Sequence, residues 1–305
     1  MAKIISNAYI NFSEHGVDNW ITNWAPERID IGFAGGSSVF LGSDFAFDYA
    51  SELWSGTATY YAEFDNSGNI TLELSEFAHP APLFQYDWTT IFNEVLAGPD
   101  VIGLLGTSND VVFAGGGDDA IYSHRGSKFI DGGSGIDTVA YEMPVASYER
   151  TRDNEALYVS GEGSDDTLVS VERVAFADGV IAFDDNASQM YRLYQAAFDR
   201  TPDSEGLSYW VAQADAGVSL GQAANGFMAS NEFRDIYGQN PTDSDIINLL
   251  YLNVLDREAD QAGFDYWGGQ LTAGLSRVDL LVQFSESGEN VANSAAAIEG
   301  GIWLV

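Results

Sequence analysis

Gly132-Gly133-Ser134-Gly135-Ile136-Asp137-Thr138-Val139-Ala140 is the best copy of a nine-residue unit repeated between Leu96 and Ala140. Aligning on its sixth position gives Asp100, Asp110, Asp119, Lys128 and Asp137, and on its eighth Ile102, Val112, Ile121, Ile130 and Val139. After one ten-residue step the spacing is nine throughout. Small residues, then one carboxylate, then one β-branched residue describe a coil with a glycine turn, an ion ligand and a core-facing strand position. Gly115, Gly116 and Gly117, with Gly133 and Gly135, let the backbone take positive φ and turn carbonyl oxygens inward, where a hard cation is bound. A glycine-rich disordered linker also explains enrichment in Gly and Asp, but it does not keep five β-branched residues in phase with five turns.

This unit resembles the RTX, or haemolysin-type calcium-binding, repeat family, whose motif is G-G-x-G-x-D-x-U-x with U large and apolar. The resemblance covers five nonapeptides. It implies a short parallel β-roll over residues 95–140, each nonapeptide making half a coil, so that residues eighteen apart stack on one edge and share an ion. Carried over residue by residue, Asp119 and Asp137, with the turns at Gly115, Gly117, Gly133 and Gly135, make the strongest calcium site, and Asp100 adds a second ion on that edge. Asp110 completes the set of metal candidates, but on the opposite edge it faces Lys128, between turns poor in glycine, Gly106-Thr107-Ser108 and His124-Arg125-Gly126. Two readings stand there: the Lys128 ammonium takes the place of a calcium ion and bridges to Asp110, or the repeat is degenerate and Lys128 is solvated.

The formal net charge of −34, from 46 acidic against 12 basic residues, opposes nucleic acid and anionic lipid as partners. Self-repulsion of this size weakens the compact state until cations bind, and extracellular modules are tuned to about 10⁻⁴–10⁻³ M calcium. Calcium bound only by the folded state couples the ion to folding. The start of the chain, Met1-Ala2-Lys3-Ile4-Ile5-Ser6-Asn7, lacks the apolar region of a signal peptide, and no apolar run reaches membrane-spanning length. RTX proteins leave the cell through a type I secretion channel by way of an uncleaved C-terminal signal. The resemblance therefore implies a secreted or surface-associated protein with residues 295–305 as the secretion tail. The absence of cysteine removes disulfides as the stabiliser.

Residues 141–186 alternate in short runs, Ala156-Leu157-Tyr158-Val159 and Thr167-Leu168-Val169-Ser170-Val171 among them, broken at Asp178-Gly179 and Gly161-Glu162-Gly163. That is strand and turn chemistry, and a β-strand cap on the open end of the roll is expected. From residue 187 to 294 the period becomes helical and a second repeat appears. Leu193 to Trp210 aligns with Leu250 to Trp267 at an offset of 57, which persists through Phe227 and Phe284, Ser230 and Ser287, Glu232 and Glu289. Each copy reads as a helix, an Asp-Arg loop, a Gly-x-x-Tyr-Trp helix and one further helix. The D-R-x-x-D-x-x-G-x-x-Y-W core resembles an uncharacterised domain found at the C-termini of secreted, RTX-bearing and surface-layer-associated bacterial proteins. Asp203 and Asp260 read as N-caps, Trp210 and Trp267 as core anchors, and Arg200 and Arg257 as partners of nearby carboxylates. The competing reading makes Asp199, Asp203 and their copies a ligand loop, without the carboxylate density of an EF-hand.

Residues 1–94 are aromatic-rich, with Trp20, Trp24, Trp54, Tyr60, Tyr61, Phe84, Tyr86 and Trp88, and the link Asp65-Asn66-Ser67-Gly68 suggests a hairpin in a β-rich or α+β domain. These rings either fill a core or, exposed, stack on sugars or a partner protein. Gly68 to Leu72 and Ala78-His79 resemble part of a secreted haem-binding hemophore, with Leu72 where that family has its tyrosine ligand. The three histidines, His15, His79 and His124, lie outside any His-Glu-x-x-His helix, and no Gly-x-Ser-x-Gly elbow or phosphate loop occurs. A carboxylate pair in residues 1–94 acting on a polysaccharide is the enzymatic alternative, and haem capture is the second.

The expected fold is thus multidomain α+β: an N-terminal β-rich or α+β domain, a short parallel β-roll with a β cap, and a C-terminal all-α tandem repeat. The expected function is a secreted, non-catalytic, calcium-binding protein that acts by binding or adhesion, or in surface assembly. Its partners are calcium, extracellular polysaccharide or a surface protein, and the type I secretion machinery, with no nucleic acid and no membrane insertion.

Overall fold

In the computed structural model the nonapeptides become short strands, each burying the apolar residue at its eighth position between tight turns. From residue 98 onward the structure describes all but residues 105–110 and residue 154. Of residues 1–97 it describes the backbone of β1 (Lys3–Ser6), β2 (Trp20–Ala25), β3 (Arg28–Phe33), β4 (Gly36–Asp48), β5 (Leu53–Asp65) and β6 (Ile70–Pro80). The chain divides into two units, Met1–Gly179 and Val180–Val305.

In the first unit the repeat strands are β7 (Val101–Leu104), β8 (Val111–Phe113), β9 (Ala120–Ser123), β10 (Phe129–Asp131) and β11 (Thr138–Ala140). They alternate between two sheets. The parallel ladder β7–β9–β11 sets Ile102 beside Ile121 and Ile121 beside Val139, while β8–β10 sets Val112 beside Ile130. All five of these side chains are buried, so the eighth position of every unit faces an interior.

Residues beyond 140 lengthen both ladders. Thr167 and Leu168 of β14 (Ser164–Val169) continue β10, and Val174 of β15 (Arg173–Phe176) continues β11, both in parallel. The antiparallel β13 (Leu157–Gly161) pairs with β14, and β12 (Glu149–Arg152) pairs with β13 at the sheet's edge. At the other end β1 lies between β7, in parallel, and β6, antiparallel, and the meander β6–β5–β4–β3–β2 follows. The N-terminal region is therefore β-rich, and its first strand joins the repeat ladder directly.

The second unit holds eight helices among the described residues. They are α1 (Asp185–Phe198), α2 (Ser204–Asp215), α3 (Leu220–Met228), α4 (Asn231–Tyr237), α5 (Asp243–Leu255), α6 (Gln261–Thr272), α7 (Arg277–Ser285) and α8 (Gly288–Ile298). Each 57-residue copy has four helices, where the sequence reading gave three. The extra break falls at Ser230 and Ser287, whose side chains accept from Phe233 N–H and Asn290 N–H and so start a new helix inside the stretch read as one. Asp203 and Asp260 cap α2 and α6, and Asp199 and Asp256 end α1 and α5 in the left-handed region, at φ 50° and 49°.

One apolar core serves both copies, with Leu193, Phe227, Leu250 and Phe284 in it and Trp210 and Trp267 packed edge-on or tilted against Phe227 and Phe284. The residues read as a tail are folded into this unit: 295–298 end α8, and Ile302–Leu304 form β16, antiparallel to 180–182, with Ile302 and Leu304 buried. Among the described residues no helix is long and apolar enough to cross a membrane.

Candidate metal centre

The turns that precede β9 and β11 stack on each other eighteen residues apart. Gly117 N–H donates to Ser134 O at 2.8 Å and Ser134 N–H to Gly115 O at 3.0 Å. Gly115, Gly117, Gly133 and Gly135 have φ of 95°, 105°, 96° and 135°, a region that L side chains avoid. A Cβ on Gly133 would fall on the Gly115 carbonyl oxygen, and one on Gly135 on that of Gly117. The turns thus approach as closely as bare backbone permits, with carbonyl oxygens in the space between.

Beside them Asp100, Asp119 and Asp137 are buried, at 2%, 2% and 0% exposure. They form a relay along the edge. Asp100 N–H donates to Asp119 Oδ1 at 2.7 Å, Asp119 N–H to Asp137 Oδ1 at 2.9 Å, and Asp137 N–H to Glu172 Oε2 at 3.0 Å. The second oxygens of Asp119 and Asp137 are buried with no hydrogen-bond partner among the described residues. A buried carboxylate oxygen left this way carries a large desolvation cost. Burial accordingly pushes the Asp119 carboxyl up to about 7 and Asp137 up to about 6, against the lowering effect of the backbone donors.

These residues fit a hard, oxygen-liganded cation such as calcium: buried carboxylate oxygens without partners among the described residues, close-stacked glycine turns beside them, and no thiol in the chain. Among the described residues no three His, Cys, Asp or Glu side chains converge on one point, so a cation here would draw most of its ligands from backbone carbonyls. Sequence reasoning missed Glu172, which ends the relay. It stands 35 residues beyond Asp137, outside the nine-residue phase, and pairing of β15 with β11 brings it in.

The other edge differs. Asp110 and the turn at 106–108 lie outside the described residues, so the structure is silent on the bridge expected between Asp110 and Lys128. Lys128 itself is 3% exposed, which rules out the reading of a solvated side chain. Its Nζ donates to the carbonyls of His124 at 2.8 Å, Arg125 at 2.6 Å and Gly126 at 3.4 Å. Lys128 N–H donates to Asp166 Oδ1 at 2.9 Å, and Asp166 Oδ2 accepts from Ser123 Oγ at 2.7 Å and from the Tyr141 hydroxyl at 2.8 Å. The side chains of residues 1–94 lie outside the described residues, so the structure does not bear on haem binding by His79 or on a carboxylate pair in that region.

In the helical unit the Asp-Arg loop is built twice to one plan. Arg200 Nε donates to Glu232 Oε1 at 2.6 Å with its guanidinium 5.0 Å from the Tyr194 ring, and Arg257 Nε donates to Glu289 Oε1 at 2.8 Å with its guanidinium 4.9 Å from Tyr251. Asp203 accepts from Gly206 N–H and the Tyr194 hydroxyl. These contacts tie each loop to the first turn of α4 or α8, which is a structural task.

The family described as "Domain of unknown function (DUF4214)" matches residues 184–235 and 224–294, the span of the two helical copies. No curated protein matches the chain. Among solved structures, the extracellular lipase LipA from Serratia marcescens aligns at 24% identity over 26% of this chain and 13% of that one, with a TM-score of 0.25.

Proposed function

We propose that this chain is a secreted, non-catalytic calcium-binding protein of the RTX kind. In this reading residues 95–140 form a calcium-loaded β-roll that residues 141–179 extend, and the protein acts outside the cell by binding or surface assembly. What carries the reading is the pair of buried oxygens, Asp119 Oδ2 and Asp137 Oδ2, that have no hydrogen-bond partner among the described residues, on an edge whose glycine turns stack backbone against backbone. Asp119 and Asp137 would hold the ion together with carbonyls of the turns at 115–117 and 133–135, and Asp100 stands next along the same edge. Bound calcium supplies the positive charge that those oxygens lack, and it favours the folded state alone. A chain of net charge −34 would then stay loose where calcium is scarce and close where it is plentiful.

The test is thermal unfolding of the full chain in chelator, in about 10 mM calcium and in magnesium of equal ionic strength. With a dissociation constant of about 10⁻⁴ M, calcium should raise the melting temperature by about 5–10 °C. Magnesium, which holds its waters and demands octahedral geometry, should do little. Asp137→Asn should remove most of the calcium effect. Equal melting in all three conditions would reject the reading, and equal gains from both ions would reduce it to charge screening.

A further inference from the structure

The two edges of the repeat ladder solve one electrostatic problem in different ways. On the first, Asp137 Oδ1 accepts Asp119 N–H and Asp137 Oδ2 has no donor among the described residues. On the second, Asp166 stands to Lys128 as Asp137 stands to Asp119: its Oδ1 accepts Lys128 N–H at 2.9 Å, and Thr167 N–H donates to Lys128 O at 2.7 Å just as Thr138 N–H donates to Asp119 O at 2.8 Å. Yet Asp166 Oδ2 is filled by the hydroxyls of Ser123 and Tyr141. The turn before Lys128 stacks on the next as on the first edge, with Gly126 bridged to Ser164 and Gly126 N–H donating to Gly163 O at 2.9 Å. Its inward carbonyls are the ones that receive the Lys128 ammonium.

We infer that Lys128 is a covalently held cation that occupies the carbonyl cradle of the second edge, so that this edge folds without metal while the first depends on it. An ammonium has three donors and no acceptor, and here three carbonyl oxygens lie within reach of them, two at hydrogen-bond lengths of 2.8 and 2.6 Å. Such charge-assisted bonds offset the cost of burying Lys128, and a tethered charge needs no ion from solution. The residue occupies the ligand position of its nonapeptide, so the substitution removes a carboxylate and supplies a positive charge in one step. The inference rests on the calcium reading only for its contrast with the first edge. The ladder β8–β10–β14 would then be a metal-independent part of the unit, on which calcium orders β7–β9–β11.

The experiment compares the wild-type full chain with Lys128→Met and Lys128→Asp, by melting in chelator and by calcium stoichiometry from calorimetry. Lys128→Met keeps the unbranched stem of the side chain and removes its charged end. In chelator it should melt about 5–10 °C below wild type, and Lys128→Asp should melt lower as well. Lys128→Asp should also bind one more calcium ion than wild type, and calcium should restore its melting. Should Lys128→Asp fail to fold, the Lys128→Met comparison still decides. Lys128→Met melting with wild type in chelator overturns the inference, as does a folded Lys128→Asp that gains no ion. A wild type that binds no calcium would reject the reading of the first edge and leave this one standing, because the melting in chelator involves no ion.

Discussion

Asp137 receives the backbone N–H of Asp119 on Oδ1 at 2.9 Å and buries Oδ2 with no donor among the described residues, so one carboxylate both joins two repeats and leaves a negative charge between them unanswered. That arrangement opposes folding whenever the oxygen is charged and no cation is present. The rest of the edge inherits the same tension, since Asp119 repeats it eighteen residues earlier.

Acidity should therefore stabilise the calcium-free protein. Burial raises the Asp119 carboxyl to about 7 and Asp137 to about 6 from an ordinary value of 3.8, so the folded state holds these protons more tightly than the unfolded chain. Their stabilising effect is complete below about pH 4 and is lost as pH rises through 6 to 7. Melting temperature measured in chelator should fall across this window, and saturating calcium should flatten the fall. A rise with pH in chelator would contradict the assignment of these two carboxylates.

Gly133→Ala should cost about 2–4 kcal/mol, because the new methyl falls on the Gly115 carbonyl oxygen and φ of 96° strains any L residue. Gly98→Ala, where a methyl meets nothing within 4 Å and no positive φ is required, should stay within about 0.5 kcal/mol. Chemical denaturation of both variants in calcium separates backbone strain from a generic effect of added bulk.

Two arginine pairs in the helical unit should differ sharply. Arg192 grips Glu286 through Nε at 2.9 Å and Nη2 at 2.5 Å with its side chain 9% exposed, while Arg257 and Glu289 are both 42% exposed. Arg192→Met should destabilise by about 2–3 kcal/mol, below the cost of a fully buried pair because Glu286 keeps a quarter of its exposure. Arg257→Met should lose much less, since water already screens that pair. Equal losses in urea titrations would mean that the Arg257 stack on Tyr251 carries more than its exposure indicates.

Gly263 lies in the first turn of α6, where a Cβ would fall on the Tyr251 hydroxyl. Alanine gains about 1 kcal/mol over glycine within a helix, so Gly263→Ala sets a local gain against a tertiary clash. The clash should win, and Tyr251→Phe, which deletes the hydroxyl, should restore part of the loss. A double-mutant cycle in thermal unfolding reads the coupling, and strictly additive losses would show that the hydroxyl is not the obstacle. At Gly206 the Tyr194 hydroxyl stands farther off, at 3.0 Å, so Gly206→Ala should be milder.

Much of this was legible in the chain itself. The eighth positions at 102, 112, 121, 130 and 139 are buried strand residues, and the 57-residue repeat returns as matched helices, caps and left-handed aspartates. Both signals are periodic, and periodicity records which residues share a face of a strand or helix. The break at Ser230 and Ser287 escaped notice because a serine within a helical pattern reads either as a cap or as an interior residue. Glu172 and Asp166 escaped for a different reason. They reach their partners across 35 and 38 residues, through loops that follow no period.

By itself the sequence determined where the short repeat strands fall, where the chain turns helical, and which carboxylates share an edge, since each follows from spacing and local backbone preference. Tertiary structure alone decided that Lys128 ends among three carbonyls, that Asp166 is satisfied by Ser123 and Tyr141, and that Asp119 and Asp137 each keep one oxygen unanswered among the described residues. The physical reason is desolvation. The charge a buried group can carry depends on every donor that packing brings to it, and those donors come from parts of the chain that the repeat does not encode.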